Sequence, residues 1–443
     1  MELKIDGIAA GGVGYSESDT ERIHVAGALP GDRVEVSRPR SHRGRTQARL
    51  IRVLDREIAS RQAPCEHFGR CGGCDWMDLP YDVQLSLKTR MVADAFLQVG
   101  LTVDLAEIVA SPEEYRYRNR VDFAFGNGQT GPVIGLYEKG DPRDRSHALP
   151  PVCPVEDCWL TSDTVNGFGR QVQEALVDTH LKAYNPESRT GVLRSLEIRE
   201  GEAGGAINLL VANDKHLSED LLTRVADGAE AMTLRVSRTR SRHAKAKRER
   251  VIRGEGEPMT TILGARIAFG GTSFSQVNRF LLDGLYGLAI ELARPSASDR
   301  VLDLYCGVGA LSIPLAKRSA HVVGIELDGQ AVQCAQSNAA TNACANTRFV
   351  SADATKLSAW GDGPFSLVTL NPPRGGLDAG VVEGVASSRP DRVVYVSCNP
   401  DTLARDCKRL SSNNYTVSAV HPVDMFPQTA HVETVVRLDR NHG

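Results

Sequence analysis

The sequence contains no apolar run that approaches the ~18 residues a membrane-spanning helix needs. Residues 1–6 lack the basic and then apolar regions of a secretory signal, so a cytoplasmic location is expected. Internal repeats and low-complexity linkers are also missing from the sequence. These absences favour an ordinary soluble protein, with which the hydrophobic fraction of 41% and the charged fraction of 24% agree. At about 150 residues per domain, the length favours roughly three domains.

The net charge of −3 conceals two strongly basic segments. Residues 33–56 contain eight arginines, and residues 235–253 contain nine lysines and arginines. Either segment alone is also what a solvated protein surface would show. Two such segments on a slightly acidic chain favour a polyanionic partner, and nucleic acid is the usual one.

The ten cysteines of a cytoplasmic chain are not expected to form disulfides. Three of them, Cys65, Cys71 and Cys74, lie close together in a glycine-rich loop, which is typical of a metal site. Such a site needs a fourth thiolate, for which Cys153 is the preferred candidate and Cys158 the second. The spacing alone does not separate zinc from an iron–sulfur cluster, and purely structural thiols remain the plain alternative.

Three regions are predicted along the chain. Residues 1–57 show short strand-like runs between glycines and predict a small RNA-binding β-barrel. Residues 58–270 predict a central α+β region that carries the cysteine loop, with a helix and two antiparallel hairpins at about 82–99, 115–137 and 194–212. Residues 271–443 alternate strand and helix, which predicts a doubly wound α/β fold. Its strands are expected at 300–304, 321–325, 348–350, 367–370, 393–397, 415–420 and 432–438.

A candidate cofactor loop lies where the first strand of this α/β region turns into its first helix. Asp303 precedes the loop, and Gly307 and Gly309 let the backbone approach a ligand that a Cβ would exclude. Glu326 ends the second strand about 20 residues on, where a carboxylate can accept from both ribose hydroxyls. Ser312 stands where a dinucleotide-binding pattern would have its third glycine, so a dehydrogenase is disfavoured.

With Asp353 after the third strand, this arrangement resembles class I methyltransferases that bind S-adenosylmethionine. The resemblance implies that Asp303 and the Gly307/Gly309 loop lie near the methionine part of the cofactor. It also implies that Glu326 binds the ribose and that Asp353 lies beside the adenine.

Two kinds of methyl transfer fit the end of the fourth strand, where the chain reads Asn371-Pro-Pro-Arg374. Asn-Pro-Pro followed by an aromatic residue is typical of amino-group methyltransferases, but Arg374 occupies the place of the aromatic. Cys398, which amino-group transfer does not need, lies between a β-branched strand and a helix that opens at Pro400. The N–H groups at the start of this helix are expected to favour the thiolate and lower its pKa. A small buried packing residue is the alternative for Cys398.

Methyl transfer to carbon C5 of a pyrimidine does need such a thiol. Addition of a thiolate to C6 turns the ring into an enolate-like nucleophile, and a base must later remove the C5 proton. Glu433, flanked by apolar residues that could raise its pKa, is the candidate base. An ordinary strand glutamate is the alternative.

At this point the chain resembles the RNA 5-methyluridine (uracil-C5) methyltransferase family over nearly its whole length. The resemblance rests on six ordered motifs: Cys65-x5-Cys71-x2-Cys74 with Cys153, 274–278, 303–309, 371–374, 397–400 and 431–434. It implies a 4Fe-4S cluster on the four cysteines, Cys398 as nucleophile and Glu433 as base. It also implies an S-adenosylmethionine site lined by Gln276, Tyr305, Ala310, Glu326 and Asp353.

Two departures from the family pattern concern binding, one of the uracil at Asn371 and one of the cofactor at Ala310. Asn371, also assigned here to the cofactor site, stands where the family more often has aspartate; its amide presents a donor as well as an acceptor. Ala310 replaces a polar residue of some members, which would remove one cofactor contact. Neither change touches the thiol or the base.

Residues 1–57 resemble a TRAM domain, the RNA-binding barrel attached to some members of the family. This attachment favours the 23S rRNA branch, with tRNA as the alternative substrate. Separately, a monomeric enzyme without a membrane partner is expected. The other classes left open are an amino-group nucleic-acid methyltransferase, which would leave Cys398 and Glu433 unused, and a non-catalytic RNA-binding protein.

Overall fold

The computed structural model describes residues 1–19, 21–42, 44–129, 131–140, 150–239, 248–254, 257–270, 273–356, 360–361 and 363–441. Residues 240–247, in the middle of the second basic segment, lie outside this described part. Contacts divide the chain into two compact units. The first contains Met1–Ala63, Asp75–Pro112 and Leu281–Gly443, and the second contains Pro64–Cys74 and Glu113–Phe280. The predicted boundaries at 57 and 270 stay predictions.

Short strands occupy the described part of residues 1–57, as the glycine-punctuated sequence predicts. They are β1 (Glu2–Lys4), β2 (Gly7–Ala9), β3 (Val13–Glu17), β4 (Arg22–Ala26), β5 (Arg33–Val36), β6 (Arg40–His42), β7 (Arg45–Ala48) and β8 (Leu50–Asp55). One sheet has the order β1-β5-β8 and another the order β2-β3-β4-β7-β6. Ile5, Val25 and Val34 are buried between their strands. Closure of these strands into a barrel stays a prediction.

Helix α1 (Tyr81–Gln98) follows and confirms the helix expected at 82–99. It belongs to the first unit, where Leu87, Met91 and Phe96 enter the same hydrophobic core as the strands of the α/β region. The helix begins after Pro80, whose fixed φ suits the entry to a helix.

The second unit is built around one mixed sheet with the strand order β11-β10-β9-β12-β13-β14-β15. Its elements are β9 (Arg120–Asn127), β10 (Pro132–Tyr137), β11 (Val152–Pro154), α2 (Asp163–Leu176), β12 (Leu193–Gly201), β13 (Gly204–Val211), α3 (Glu219–Val225), β14 (Ala231–Val236), β15 (Arg248–Arg253), β16 (Met259–Ile262) and β17 (Ala265–Ala268). Both predicted hairpins are confirmed, since β9 pairs antiparallel with β10 and β12 pairs antiparallel with β13. The pair β16 and β17 forms a separate two-stranded sheet.

The α/β region contains a sheet with the order β20-β19-β18-β21-β22-β24-β23. Its elements are α4 (Leu282–Ala293), β18 (Arg300–Leu304), α5 (Ser312–Ala316), β19 (His321–Glu326), α6 (Gly329–Thr341), β20 (Thr347–Ser351), β21 (Leu367–Leu370), α7 (Ala379–Ser388), β22 (Arg392–Ser397), α8 (Pro400–Ser411), β23 (Tyr415–Val423) and β24 (Glu433–Arg440). The predicted strands of this region are confirmed, with ends shifted by a few residues.

The first five strands of this sheet are parallel, and β24 and β23 return antiparallel. The order reverses between β19 and β21, on either side of the central strand β18. Ligands of open parallel sheets bind at this kind of reversal, outside the carboxyl ends of the strands. The loops after β18, β19, β21 and β22 all leave the sheet at this edge. Within the described ranges, no helix is both long and apolar enough to cross a membrane.

Candidate active site

Cys398 lies in the tight connection between β22 and α8, where the sequence predicts it. Ser397 Oγ accepts from the backbone N–H of Asn399 at 3.2 Å, which turns the chain away from the strand. Asn399 then caps α8, because its side-chain oxygen accepts from the N–H of Asp401 at 3.2 Å. Pro400 occupies the first turn, where its missing N–H leaves no helical bond unmade. The thiol is therefore presented at the carboxyl edge of the sheet, half-buried.

The electrostatic setting of Cys398 differs from the sequence-based expectation. Burial raises the pKa of its thiol above the ordinary value, and the nearby Glu433 carboxylate raises it further. Arg374 acts in the opposite direction, because its positive charge favours the thiolate. The prediction that the helix N-terminus gives a net lowering of this pKa is wrong, because desolvation and a like charge outweigh the groups that favour the thiolate.

Arg374 is fixed by the same connection that presents the thiol. Its carbonyl oxygen accepts from Asn399 Nδ2 at 3.0 Å and from Thr402 Oγ1 at 3.3 Å. Its guanidinium lies 3.2 Å from His431 Nε2. Because a guanidinium only donates, this nitrogen accepts and the ring proton is on Nδ1. The sequence singled out Arg374 only as a departure from an aromatic, and it gave His431 no role. Tertiary structure brings Arg374 close enough to affect the Cys398 thiol and places His431 against Arg374.

Glu433 is the first residue of β24 and is 2% exposed. Strand β24 runs antiparallel to β22, and the pairing of Ser397 with Thr434 is the last of their register. One step further along both strands come Cys398 and Glu433, and each is close enough for the carboxylate to affect the thiol. The structure therefore brings the two predicted catalytic residues side by side at one edge of the sheet.

Asp303, near the end of β18, is buried and bonded on both oxygens. It accepts from the hydroxyl of Ser312 at the start of α5 and from Thr369 Oγ1 on β21, the latter at 2.7 Å. Burial raises its pKa to about 6 against the opposing effect of these two hydroxyls. In this arrangement Asp303 ties the loop after β18 to the neighbouring strand.

The loop after β18 has an unusual backbone. Tyr305 has φ +63, a left-handed conformation that is uncommon for a bulky residue. Its N–H and that of Cys306 both donate to the carbonyl of Ile325, which holds the loop against β19. Gly307 and Gly309 also have positive φ, of +53 and +84. A Cβ on the first would meet nothing within 4 Å, whereas one on the second would lie 3.3 Å from the Phe349 ring.

Three acidic or aromatic candidates lie around this loop. Glu326 accepts from the N–H of Gly307 at 3.2 Å and from that of Asp328 at 2.9 Å, so both oxygens are oriented by backbone. Asp353 is exposed, and its bonds from the Thr355 N–H and hydroxyl lower its pKa. Burial raises the pKa of Tyr305 to about 12, and the carboxylates of Asp353 and Glu326 contribute to the rise. The structure thus brings Tyr305, Glu326 and Asp353 into one neighbourhood.

Two further residues predicted to bind the cofactor, Ala310 and Asn371, also lie at the carboxyl ends of the parallel strands. Ala310 is buried within the turn that leads into α5. Asn371 is half-buried directly after β21, and its N–H donates to the carbonyl of Leu304 at 3.3 Å. This bond joins the ends of β18 and β21 on either side of the strand-order reversal.

Gln276 belongs to the second unit and is 1% exposed. Neither its Oε1 nor its Nε2 has a hydrogen-bond partner among the described residues. A buried amide that makes no hydrogen bond is costly, so a polar ligand group is the natural partner for it.

The cysteine loop also lies in the second unit. Burial raises the pKa values of Cys65, Cys71 and Cys74, that of Cys71 to about 11, and the nearby Cys158 thiol raises each of them further. Cys153 is fully buried on β11 and contributes in this way only to Cys71. The structure therefore groups the three loop cysteines with Cys158 more closely than with Cys153, the candidate preferred from the sequence.

A metal site is not formed directly by these side chains. Among the described residues, no three His, Cys, Asp or Glu side chains are arranged so as to hold a single metal ion. The chemistry of the donor set, three thiols of a glycine-rich loop with the nearby thiol of Cys158, is nevertheless the set that an iron–sulfur cluster requires.

Comparison with known proteins identifies the family. The family model of tRNA (uracil-5-)-methyltransferases matches residues 264–441. An uncharacterized RNA methyltransferase of Halalkalibacterium halodurans is 31% identical over 99% of this chain and 96% of its own length. One of Gloeobacter violaceus is 34% identical over 100% of this chain and 96% of its own length.

Among solved structures, that of the Pyrococcus abyssi tRNA (uracil-54, C5)-methyltransferase in complex with S-adenosyl-L-homocysteine is similar along the whole chain. The two share 26% identity with a TM-score of 0.74, over 99% of this chain and 100% of the other. The α/β region accordingly has a class I methyltransferase fold. The chain belongs to the RNA (uracil-5-)-methyltransferase family and is an S-adenosylmethionine-dependent RNA methyltransferase.

Proposed function

We propose that this enzyme methylates C5 of a specific uridine in RNA through a covalent bond between Cys398 and C6 of the uracil, with Glu433 as the base. The observation that carries the proposal is the register of β22 and β24, which sets the two side chains next to each other. An amino-group methyltransferase would use neither residue.

The reaction begins with the Cys398 thiolate adding to C6, which moves negative charge onto C5 and the adjacent carbonyl. S-adenosylmethionine supplies an electrophilic methyl group to C5 and leaves as S-adenosylhomocysteine. Glu433 then takes the proton from C5, the double bond between C5 and C6 re-forms, and the bond from C6 to sulfur breaks. The thiolate is regenerated, and Glu433 releases its proton to solvent.

Arg374 supports the first step. Its positive charge offsets part of the effect of burial and of Glu433 on the Cys398 thiol. Because its backbone carbonyl is bonded to Asn399 and Thr402, the cation stays with the segment that carries the nucleophile.

The methyl donor would bind at the loop after β18. Gly307 offers an approach free of neighbouring atoms, and Glu326 presents a carboxylate oriented by two backbone N–H groups. Asp353 and Tyr305 lie nearby, and Asp303 holds the loop in place. Gln276, Ala310 and Asn371 remain assigned to this cofactor by the family resemblance.

Cys65, Cys71, Cys74 and Cys158 would hold a 4Fe-4S cluster. The shared electrostatic neighbourhood of these four thiols favours Cys158 over Cys153 as the fourth ligand. Such a cluster would stabilise the fold of the second unit, because methyl transfer moves no net electrons.

Iron and sulfide analysis of anaerobically purified protein tests the assignment of the cluster ligands. The Cys158→Ser variant should lose iron, and the Cys153→Ser variant, its matched control, should retain it. The reverse pattern would restore the fourth position to Cys153.

The substrate proposed is 23S rRNA, on the basis of the TRAM-like strands at 1–57 and the cysteine loop. A tRNA uridine is the second candidate, favoured by the similarity to the Pyrococcus abyssi enzyme over the full length of both chains.

The test is incubation of the intact protein with S-adenosylmethionine and unmodified 23S rRNA or tRNA transcripts, followed by nucleoside mass spectrometry and fragment mapping. A single 5-methyluridine in 23S rRNA that is lost in Cys398→Ala is the expected result. Methylation confined to tRNA would leave the mechanism intact and overturn the choice of substrate. Methylated adenosine, or 5-methyluridine formation by Cys398→Ala, would overturn the mechanism.

A further inference from the structure

The segment 424–431, which joins β23 to β24 and leads to Glu433, is held by polar side chains from outside the sheet. We call it the base loop. Its length leaves many backbone groups without strand partners, and the bonds that replace those partners come largely from α1 and from the two residues after the cysteine loop, all within the first unit.

A buried ion pair fixes the first part of the base loop. Lys88 of α1 and Asp424 are both 0% exposed, and their Nζ and Oδ1 atoms are 2.5 Å apart. The same Nζ donates to the carbonyl of Phe426 at 2.9 Å, while Asp424 also accepts from the N–H of Phe426 at 3.2 Å. Burying two charges costs much of what their attraction returns, so such a pair adds little net stability. The ion pair and the two hydrogen bonds to Phe426 instead determine where the first part of the base loop lies.

A second helix residue fixes the middle of the loop. Gln84, also 0% exposed, accepts from the Gln428 N–H at 2.8 Å and donates to Gln428 Oε1 at 2.9 Å. Its amide also donates to the carbonyls of Trp76 and Leu79, so every one of these bonds stays within buried structure. Gln428 has φ +67, a left-handed conformation that its surroundings must impose.

The last part of the base loop is held by hydrogen bonds to Asp75 and Trp76. Asp75 and Trp76 both donate their N–H groups to the Gln428 carbonyl, and Asp75 Oδ2 accepts from the Ala430 N–H at 3.1 Å. His431, which contacts Arg374, follows Ala430 directly, and Glu433 comes two residues after His431. Contacts from α1 and from Asp75 and Trp76 thus fix the loop that leads into β24, and the pairing of β24 with β22 and β23 continues from there to Glu433.

We infer that Gln84 and Lys88 are positioning residues for the catalytic base: by fixing the base loop, they hold the Glu433 carboxylate where it can reach the C5 proton. The inference rests on the proposed function of Glu433. Neither side chain is assigned a role by the family resemblance, and neither contacts the reacting atoms.

Misplacement of a base affects one step in particular. Glu433 acts only after the carbon–sulfur bond and the new methyl group are in place, so a displaced carboxylate should slow release of the methylated RNA without slowing methyl transfer. A shift of about 1 Å in a catalytic group costs on the order of 100-fold in rate. A variant that merely destabilised the fold would instead reduce all steps together.

The test uses two variants of the full-length protein. Gln84→Met removes the amide bonds without changing charge. Lys88→Met/Asp424→Leu removes both members of the ion pair, so that no unpaired charge is left buried. The matched control is Arg437→Met/Asp439→Asn, which breaks an ion pair toward the far end of β24, where Arg437 Nη2 and Asp439 Oδ1 lie 2.7 Å apart.

Each protein is incubated with RNA and S-adenosylmethionine labelled in its methyl group, and three quantities are measured: single-turnover methyl transfer, multiple turnover, and labelled RNA–protein adduct that survives denaturing electrophoresis. Both test variants should transfer the methyl group at the rate of the unaltered enzyme, accumulate adduct, and turn over roughly 10- to 100-fold more slowly. The control should accumulate none.

Failure of the proposed function of Glu433 and failure of the positioning role of Gln84 and Lys88 give different results. Glu433→Gln is run beside the test variants, and its failure to accumulate adduct would refute the role of Glu433 and with it the proposed function. If Glu433→Gln accumulates adduct and neither test variant does, the positioning role is refuted and the proposed function stands. A loss of methyl transfer that matches the loss of turnover in both test variants would also refute positioning, because it would mean a purely structural role.

Discussion

Cys398 lies near one cation, Arg374, and one carboxylate, Glu433, and the effect of each on the thiol can be tested without RNA. Arg374 favours the thiolate and Glu433 opposes it, so Arg374→Met should shift the titration of Cys398 to higher pH and Glu433→Gln should shift it to lower pH. Solvent screens the attraction between Arg374 and the thiolate because the Arg374 side chain is exposed, so we take ~1.4 kcal/mol for it. That is about a tenfold loss of thiolate at any pH below the pKa.

The assay is the rate of alkylation of Cys398 by iodoacetamide as a function of pH, followed by mass spectrometry of the peptide that carries it. Only the thiolate reacts, so below the pKa the rate reports the thiolate fraction. Arg374→Met should react about tenfold more slowly there, and Glu433→Gln should react faster. Cys407, fully buried in α8, serves as an internal control that should stay unmodified while the protein is folded. Shifts of the same sign in both variants, or none in either, would refute the electrostatic account of the site.

Other residues of the site give further predictions. Burial raises the pKa of Asp303 from 3.8 to about 6, so this carboxyl favours folding when protonated and loses that contribution as the pH rises through about 6. Asp303→Asn should therefore gain stability relative to the unaltered protein across this range, by at most about 3 kcal/mol, in calorimetric Tm measured without ligand. Asn399→Ala loses both its cap and its bond to Arg374 and should cost about 2 kcal/mol in urea unfolding. Asn399→Asp should recover the cap, ~1 kcal/mol of this loss. Gly309→Ala, strained at φ +84 and crowded by Phe349, should lower Tm more than Gly307→Ala, which is strained at φ +53 but uncrowded and should in addition weaken S-adenosylhomocysteine binding in calorimetric titration.

The sequence predicted those parts of the molecule that local pattern determines. The strand from Arg300 to Leu304 and the glycine-containing turn after it could be predicted, because apolar runs, turns and helix starts are determined by neighbouring residues. The tight connection at Cys398 was predictable for the same reason, since Pro400 opens the helix directly after the strand.

Contacts between residues that are distant in the sequence could not be predicted from local sequence patterns. The proximity of Glu433 to Cys398 follows from the antiparallel return of β24, which only the register reveals. The sequence nominated each residue from its local setting and from the family resemblance, but it did not show that the two are neighbours. The sequence analysis preferred Cys153 to Cys158, because no local pattern shows how the chain returns to the cysteine loop. The net effect on the Cys398 thiol also depends on burial, which a helix N-terminus in the sequence does not disclose.

The raised pKa of Cys398 is a consequence of the chemistry proposed for this site rather than an argument against it. A carboxylate close enough to remove the C5 proton of a ring bonded to the sulfur must also be close enough to oppose the thiolate before the ring arrives. Removing the charge of Glu433 should therefore have two effects in one protein: Glu433→Gln should form the RNA adduct at lower pH than the unaltered enzyme, and it should fail to resolve that adduct. The pH dependence of adduct formation, measured by denaturing electrophoresis with labelled RNA, checks the first effect, and a chase with unlabelled RNA checks the second. An adduct that forms only at higher pH than in the unaltered enzyme would mean that Glu433 assists the thiol instead of opposing it, and the base would then have to be sought among other residues at the edge of the sheet.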